Sequence, residues 1–169
     1  AAADMGCEES PLRRMEFYQR SQYIPEIVPM SQDRLSAATQ LPTDKELVLK
    51  VIPMPADTNG NGDIFGGWVM AQVDLAGSVL PARLIQGRMA TVAVNEFIFK
   101  QPVRVGDLLS FFSSVTRLGN TSITVQVEVY AEHIRAQGQH VKVTEARLTY
   151  VAIDDQGRPR PIARAQLPA

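Results

Sequence analysis

Two rhythms of apolar and polar residues divide this chain into elements. Glu46-Leu47-Val48-Leu49-Lys50-Val51-Ile52 is a β-rich run closed by Pro53 and Pro55, and it predicts a first strand. The polar loop Asp57-Thr58-Asn59-Gly60-Asn61-Gly62-Asp63 separates it from a long apolar stretch over residues 66–86. On a helical wheel that stretch sets Val69, Val73, Leu80 and Leu84 on one flank and Trp68, Leu75 and Val79 on the other. A helix apolar over most of its circumference belongs at the centre of a fold. Pro81 lies inside it and should free the carbonyl of Gly77, which predicts a kink or break near Ser78.

Beyond Gly87-Arg88 the period changes to two. Residues 91–99 predict a strand whose apolar phase slips at Asn95-Glu96, the mark of a bulge. Residues 108–117 and 122–132 predict two strands joined by the hairpin signal Gly119-Asn120, and Ile123, Val125, Val127 and Val129 alternate with polar neighbours in the second. Residues 141–153 make a fifth strand, ended by Asp154-Asp155-Gln156-Gly157. Strand, long helix and four antiparallel strands predict an α+β domain over residues 44–157, a curved antiparallel β-sheet wrapped around one long central α-helix. Residues 1–43, with four prolines and no sustained period, read as an irregular N-terminal arm, and residues 158–169 as an irregular C-terminal tail.

Composition narrows the function classes. A net charge of -1 and a pI near 6.2 supply no basic field for nucleic acid. No segment approaches the roughly 20 apolar residues of a membrane span, and the first residues lack the apolar run of a signal peptide. The single cysteine, Cys7, makes no intrachain disulfide and no thiolate cluster. A cytoplasmic protein is expected.

One carboxylate interrupts the helix. Asp74 has Gly67, Met70, Ala71, Gly77, Ser78 and Pro81 within about 60° of it on the wheel. A buried acid must be paired or used, and mostly small neighbours let another backbone or a substrate chain approach it. Two readings stay open: an acid that caps a neighbouring loop, and a general base or nucleophile. Gly66 and Gly67 leave the first-turn N–H groups uncovered, at the positive end of the macrodipole, where they can hold an oxyanion. Asp57, Asn59, Asn61 and Gly62 match the first half of a calcium loop, but its twelfth position is Trp68 instead of Glu, so no metal is assigned. His133 and His140 fall near the connection between the last two strands and read as surface residues.

The stretch from Met54-Pro55-Ala56-Asp57 through Asn61-Gly62-Asp63-Ile64-Phe65-Gly66-Gly67-Trp68 to Asp74 resembles the signature of the YciA-type acyl-CoA thioesterases, which are hotdog-fold enzymes. Gly87-Arg88, Thr91-Val92-Ala93-Val94, Pro102-Val103, Val105-Gly106-Asp107, Thr144-Glu145-Ala146 and Tyr150-Val151-Ala152 extend the resemblance over residues 47–161. It implies a hotdog fold and hydrolysis of acyl-CoA to a free acid and CoA, without metal or organic cofactor. It further implies that Asp74 attacks the thioester carbonyl or activates water, that the Gly67 N–H holds the carbonyl oxygen, and that Asn61 and Asp63 line the site with Gly62 and Gly66. Thr121 and Ser122, with Val92, Val94 and Glu96, would border the CoA or acyl path. Relatives often carry two lysines where this chain has Ala131-Glu132-His133, which leaves Arg88, Lys100, Arg104 and Arg117 as candidates for the CoA phosphates. The resemblance implies homodimers with sites between subunits, and hexamers built as trimers of dimers.

Two other classes are weighed against a thioesterase. A non-catalytic acyl-CoA sensor on the same fold would typically bring a DNA-binding segment, and the net acidic arm does not look like one. A hydratase needs an acid and a histidine together, and neither histidine is spaced for it.

Overall fold

A computed structural model describes residues 39–133 and 138–163. The expected arm up to residue 38, Cys7 with it, lies outside the described residues. Five strands and one long helix follow: β1 (Glu46–Val51), α1 (Gly66–Leu84), β2 (Met89–Phe99), β3 (Asp107–Leu118), β4 (Ser122–His133) and β5 (His140–Ala152).

The strands form one antiparallel sheet in the order β1-β3-β4-β5-β2. β2 does not pair with its successor β3. It lies at the far edge beside β5, a placement that local periodicity does not reveal. Alternation along β4 works as expected: Ile123, Val125, Val127 and Val129 are fully buried and meet Leu109, Phe111, Leu148 and Tyr150 in the core. Each such side chain contributes roughly 1.5–3 kcal/mol by leaving water.

α1 packs on β3, β4 and β5 through Val69, Val73, Ala76, Gly77 and Pro81, spaced one turn apart along one stripe. The expectation that both flanks would be core is half met. Leu75 is 58% exposed, because the sheet of one chain curves around only one side of the helix. Pro81 does not break the helix at Ser78, since α1 continues three residues beyond the proline to Leu84. Ser78 Oγ donates back to the Leu75 carbonyl at 2.7 Å, and Ile85 N–H closes the end on Pro81.

The expected bulge lies where the phase slips. β2 shifts register against β5 between Asn95 and Ile98, and Glu96 adopts φ 54° there, a left-handed conformation uncommon for a side chain of its size. The hairpin at Gly119-Asn120 closes with Gly119 N–H on the Ser122 carbonyl. Residues 158–163 carry no helix or strand but follow the sheet end: Arg160 N–H bonds the Ala152 carbonyl, and Ile162 is buried with its N–H on Asn120.

Candidate active site

The loop before α1 is a tight, internally bonded turn. Asn59 N–H bonds the Asp63 carbonyl at 2.7 Å, Gly62 N–H returns to the Asn59 carbonyl, and Asn59 Oδ1 accepts from Asn61 N–H at 2.9 Å. The side chain of Asn59 thus sets the position of Asn61. Gly62 has φ 83°, which only glycine adopts cheaply. Ile64 N–H bonds Val103 and Phe65 N–H bonds Asp57, so the loop delivers the helix start at a fixed angle.

Phe65 precedes α1 without a side-chain cap, and its carbonyl receives the N–H groups of Trp68 and Val69. The N–H groups of Gly66 and Gly67 have no hydrogen-bond partner among the described residues. Two unspent donors at a helix N-terminus favour negative charge. A cleft of about 340 Å³ opens beside them, lined by Asn59, Asp63, Gly66, Phe99, Lys100 and Val103 among others. Asp63 leans toward Arg104 at 3.7 Å.

Asp74 does not belong to that cleft. It is half-buried two turns further along α1, about 10 Å from Gly67 along the axis at 1.5 Å per residue. Asp74 Oδ1 accepts hydrogen bonds from Thr91 Oγ1 at 2.9 Å and from the Tyr150 hydroxyl at 3.0 Å. Its Oδ2 accepts none among the described residues, and no cation there forms an ion pair with it. An acid that capped a neighbouring loop would accept backbone N–H groups; this one accepts none. Burial, the charge of Asp74 and the hydrogen bond to it push the Tyr150 phenol far above its ordinary range, against a smaller opposing effect of Thr91.

The other expected site residues are dispersed. Val92 and Val94 are exposed on the edge strand β2, and Glu96 reaches Arg147 at 3.4 Å. Thr121 and Ser122 use their carbonyls to hold Ala152 and Gly119 at the hairpin. Arg88 is engaged by the carbonyls of Asp154 and Asp155, and Lys100 by Glu145 at 2.7 Å. Arg117 is exposed and makes no ion pair among the described residues. The histidines are more sheltered than surface residues: His133 Nδ1 lies 2.9 Å from buried Asp107, and His140 3.9 Å from Glu132. No local pattern marks Thr91 and Tyr150 as partners of the acid, since they lie 17 and 76 residues away in sequence.

The model of the Thioesterase superfamily matches residues 61–137. The acyl-CoA thioester hydrolase YciA of Salmonella typhimurium is 45% identical over 119 residues, 69% of this chain and 90% of that protein. This chain belongs to the YciA-type acyl-CoA thioesterases. Among solved structures similar to this chain, the hexameric thioesterase y2039 of Yersinia pestis is 44% identical, with a TM-score of 0.68 over 73% of this chain and 99% of its own. Cj0915 of Campylobacter jejuni, a hexameric hotdog fold thioesterase, is 43% identical with a TM-score of 0.66, over 70% and 90%. The YciA-type hotdog is the arrangement described above, with one long helix against a curved antiparallel sheet that does not close. No helix among the described residues is long and apolar enough to cross a membrane.

Proposed function

We propose that this acyl-CoA hydrolase cuts its thioester in a site shared by two subunits, with Asp74 of one chain facing the Gly66-Gly67 helix start of another. The observation that carries the reading is the placement along α1: Asp74, with its free Oδ2, stands about 10 Å along the axis beyond the free N–H groups and outside the cleft they border. A second copy closes that gap. β2 is an edge strand, and its Val92, Val94, Ile98 and Phe99 are each 45–57% exposed, a row of apolar side chains beside unpaired backbone that fits a twin strand. The relatives of Yersinia and Campylobacter are described as hexameric, and a trimer of such dimers is the assembly we assign.

In this reading the N–H of Gly67 binds the thioester oxygen and stabilises the negative charge that develops there on attack. Asp74 Oδ2 takes a proton from the attacking water, or itself attacks and forms an anhydride that water then opens. Either way the carbon–sulfur bond breaks, the acid gains the elements of hydroxide, and CoA leaves as its thiol. Water is the only co-substrate, and no metal or organic cofactor takes part. Asn61, Gly62 and Asp63 line the approach from the loop side. Arg117, exposed and without an ion-pair partner among the described residues, is the least committed of the four basic candidates for a CoA phosphate. A reducing cytoplasm suits a chain with one cysteine.

The test is Asp74→Asn, assayed by thiol release across acyl-CoAs from short to long chains. Folded Asp74→Asn should lose at least about 1,000-fold in kcat, as expected when the reacting group itself is removed. An undiminished rate overturns the assignment. Binding of acyl-CoA by the unaltered chain without turnover would favour a sensor instead.

A further inference from the structure

The geometry points to Tyr150 as a positioning residue for hydrolysis: its hydroxyl ties Asp74 Oδ1 to the backbone of α1, so that Oδ2 alone is presented to substrate. This rests on the reading of Asp74 as the reacting acid. Tyr150 is 1% exposed on β5, with its ring in the core and its oxygen beneath the helix. One hydroxyl reaches two acceptors on one residue, the Asp74 carbonyl at 2.8 Å and Oδ1 at 3.0 Å. A three-centre bond of this kind leaves the carboxylate little freedom to rotate about its side-chain torsions. Thr91 Oγ1 adds a second donor to the same oxygen from β2. Thr91 and Tyr150 are the groups facing Asp74 from the two strands, and neither carries charge.

Gly77 makes the arrangement possible. A Cβ there would stand 2.6 Å from the Tyr150 hydroxyl oxygen, closer than any methyl group can approach, with Leu148 and Val127 at 3.4 Å behind it. The glycine one turn below Asp74 is a notch in α1 that admits the phenol. Its burial and the adjacent acid keep the phenol protonated throughout the working range, so it can only donate to the carboxylate. The hydroxyl is spent on positioning and is not a proton source for the leaving thiolate.

The decisive experiment is a cycle of Tyr150→Phe, Asp74→Asn and the double variant, each in the full-length chain, with rates normalised to the folded fraction measured by circular dichroism. Tyr150→Phe should lower kcat about 10- to 100-fold with KM within about twofold, the effect of a loosened reacting group. In the Asp74→Asn background it should change the residual rate by less than about twofold, because the group it aims is gone. Gly77→Ala should reproduce the kcat loss, and Tyr150→Phe should add nothing to it. A wild-type kcat for Tyr150→Phe, or the same fractional loss with and without Asp74, overturns the inference while leaving Asp74 in place. Full activity of Asp74→Asn would instead overturn the reading of the acid itself.

Discussion

Thr91 Oγ1 donates a 2.9 Å hydrogen bond to Asp74 Oδ1, linking the edge strand β2 to the helix that carries the acid. The bond crosses from an element that ends in the proposed subunit contact to the proposed reacting group. A hydrogen bond to a charged acceptor is worth about 1.5–3 kcal/mol. Thr91→Val keeps the shape and removes the donor. We expect kcat to fall roughly 10-fold as the carboxylate loosens, and the fold to lose about 1.5–3 kcal/mol; steady-state thiol release on one acyl-CoA and the urea midpoint check the two.

A site divided between chains makes a prediction that a site within one chain does not. Gly67→Pro removes one N–H at the first turn, where proline's fixed φ is compatible with a helix. The Cβ it adds would meet only the exposed ring of Phe65 at 3.3 Å. Alone, Gly67→Pro and Asp74→Asn should each be inactive. Mixed by unfolding and refolding together, they should recover about a quarter of wild-type activity, because half of the random dimers then hold one intact site of two. No recovery from mixed, folded oligomers would place both groups in one chain.

What the sequence made legible was what is written locally. The change of period at Gly87-Arg88, the phase slip at Glu96 and the alternation in β4 each arise from neighbours within a few residues, and each appears in the fold. The position of β2 beside β5 depends on contacts some 50 residues apart, and no period encodes it. The same holds at the site. Asp74 stood out because a carboxylate on an apolar helix is costly, and Gly66-Gly67 because they lack side chains. Thr91 and Tyr150 look like ordinary strand residues until β2 and β5 carry them under α1. The apolar wheel position of Leu75 predicts core, and it is exposed because one sheet wraps one flank.

The packing behind the notch should be as sensitive as any in the domain. Leu148 is fully buried, and its Cδ1 lies 3.4 Å from where a Gly77 Cβ would stand. Leu148→Ala should cost about 2–5 kcal/mol, transfer and cavity contributions together, read as a shift of the urea midpoint. Arg83→Ala, which breaks an exposed pair with Glu46 at 2.7 Å, should cost under about 1 kcal/mol. Equal losses for the two would mean that the helix is held by its rim and not by its buried stripe.

Acid should weaken the fold through the opposite face of the sheet. Glu128 is 7% exposed on β4 and receives Lys45 at 2.7 Å, Lys142 at 2.9 Å and the Tyr130 hydroxyl at 2.9 Å. Burial alone would raise its pKa, but the hydrogen bonds from Lys142, Lys45 and Tyr130 prevail and lower it from 4.5 to about 2. A carboxylate whose folded pKa is depressed stabilises the native state fully above its unfolded value, and that contribution is lost as pH falls from about 4.5 toward about 2. Lys142→Met removes one donor and one compensating charge, which should cost about 2 kcal/mol at pH 7. It should also bring the folded pKa of Glu128 nearer to its unfolded value, so the variant has less stability left to lose on acidification. Urea midpoints at pH 7 and pH 3 should therefore converge between wild type and Lys142→Met as the pH drops. A gap that stays constant would show that the lysine acts by packing its stem and not through the charge of Glu128.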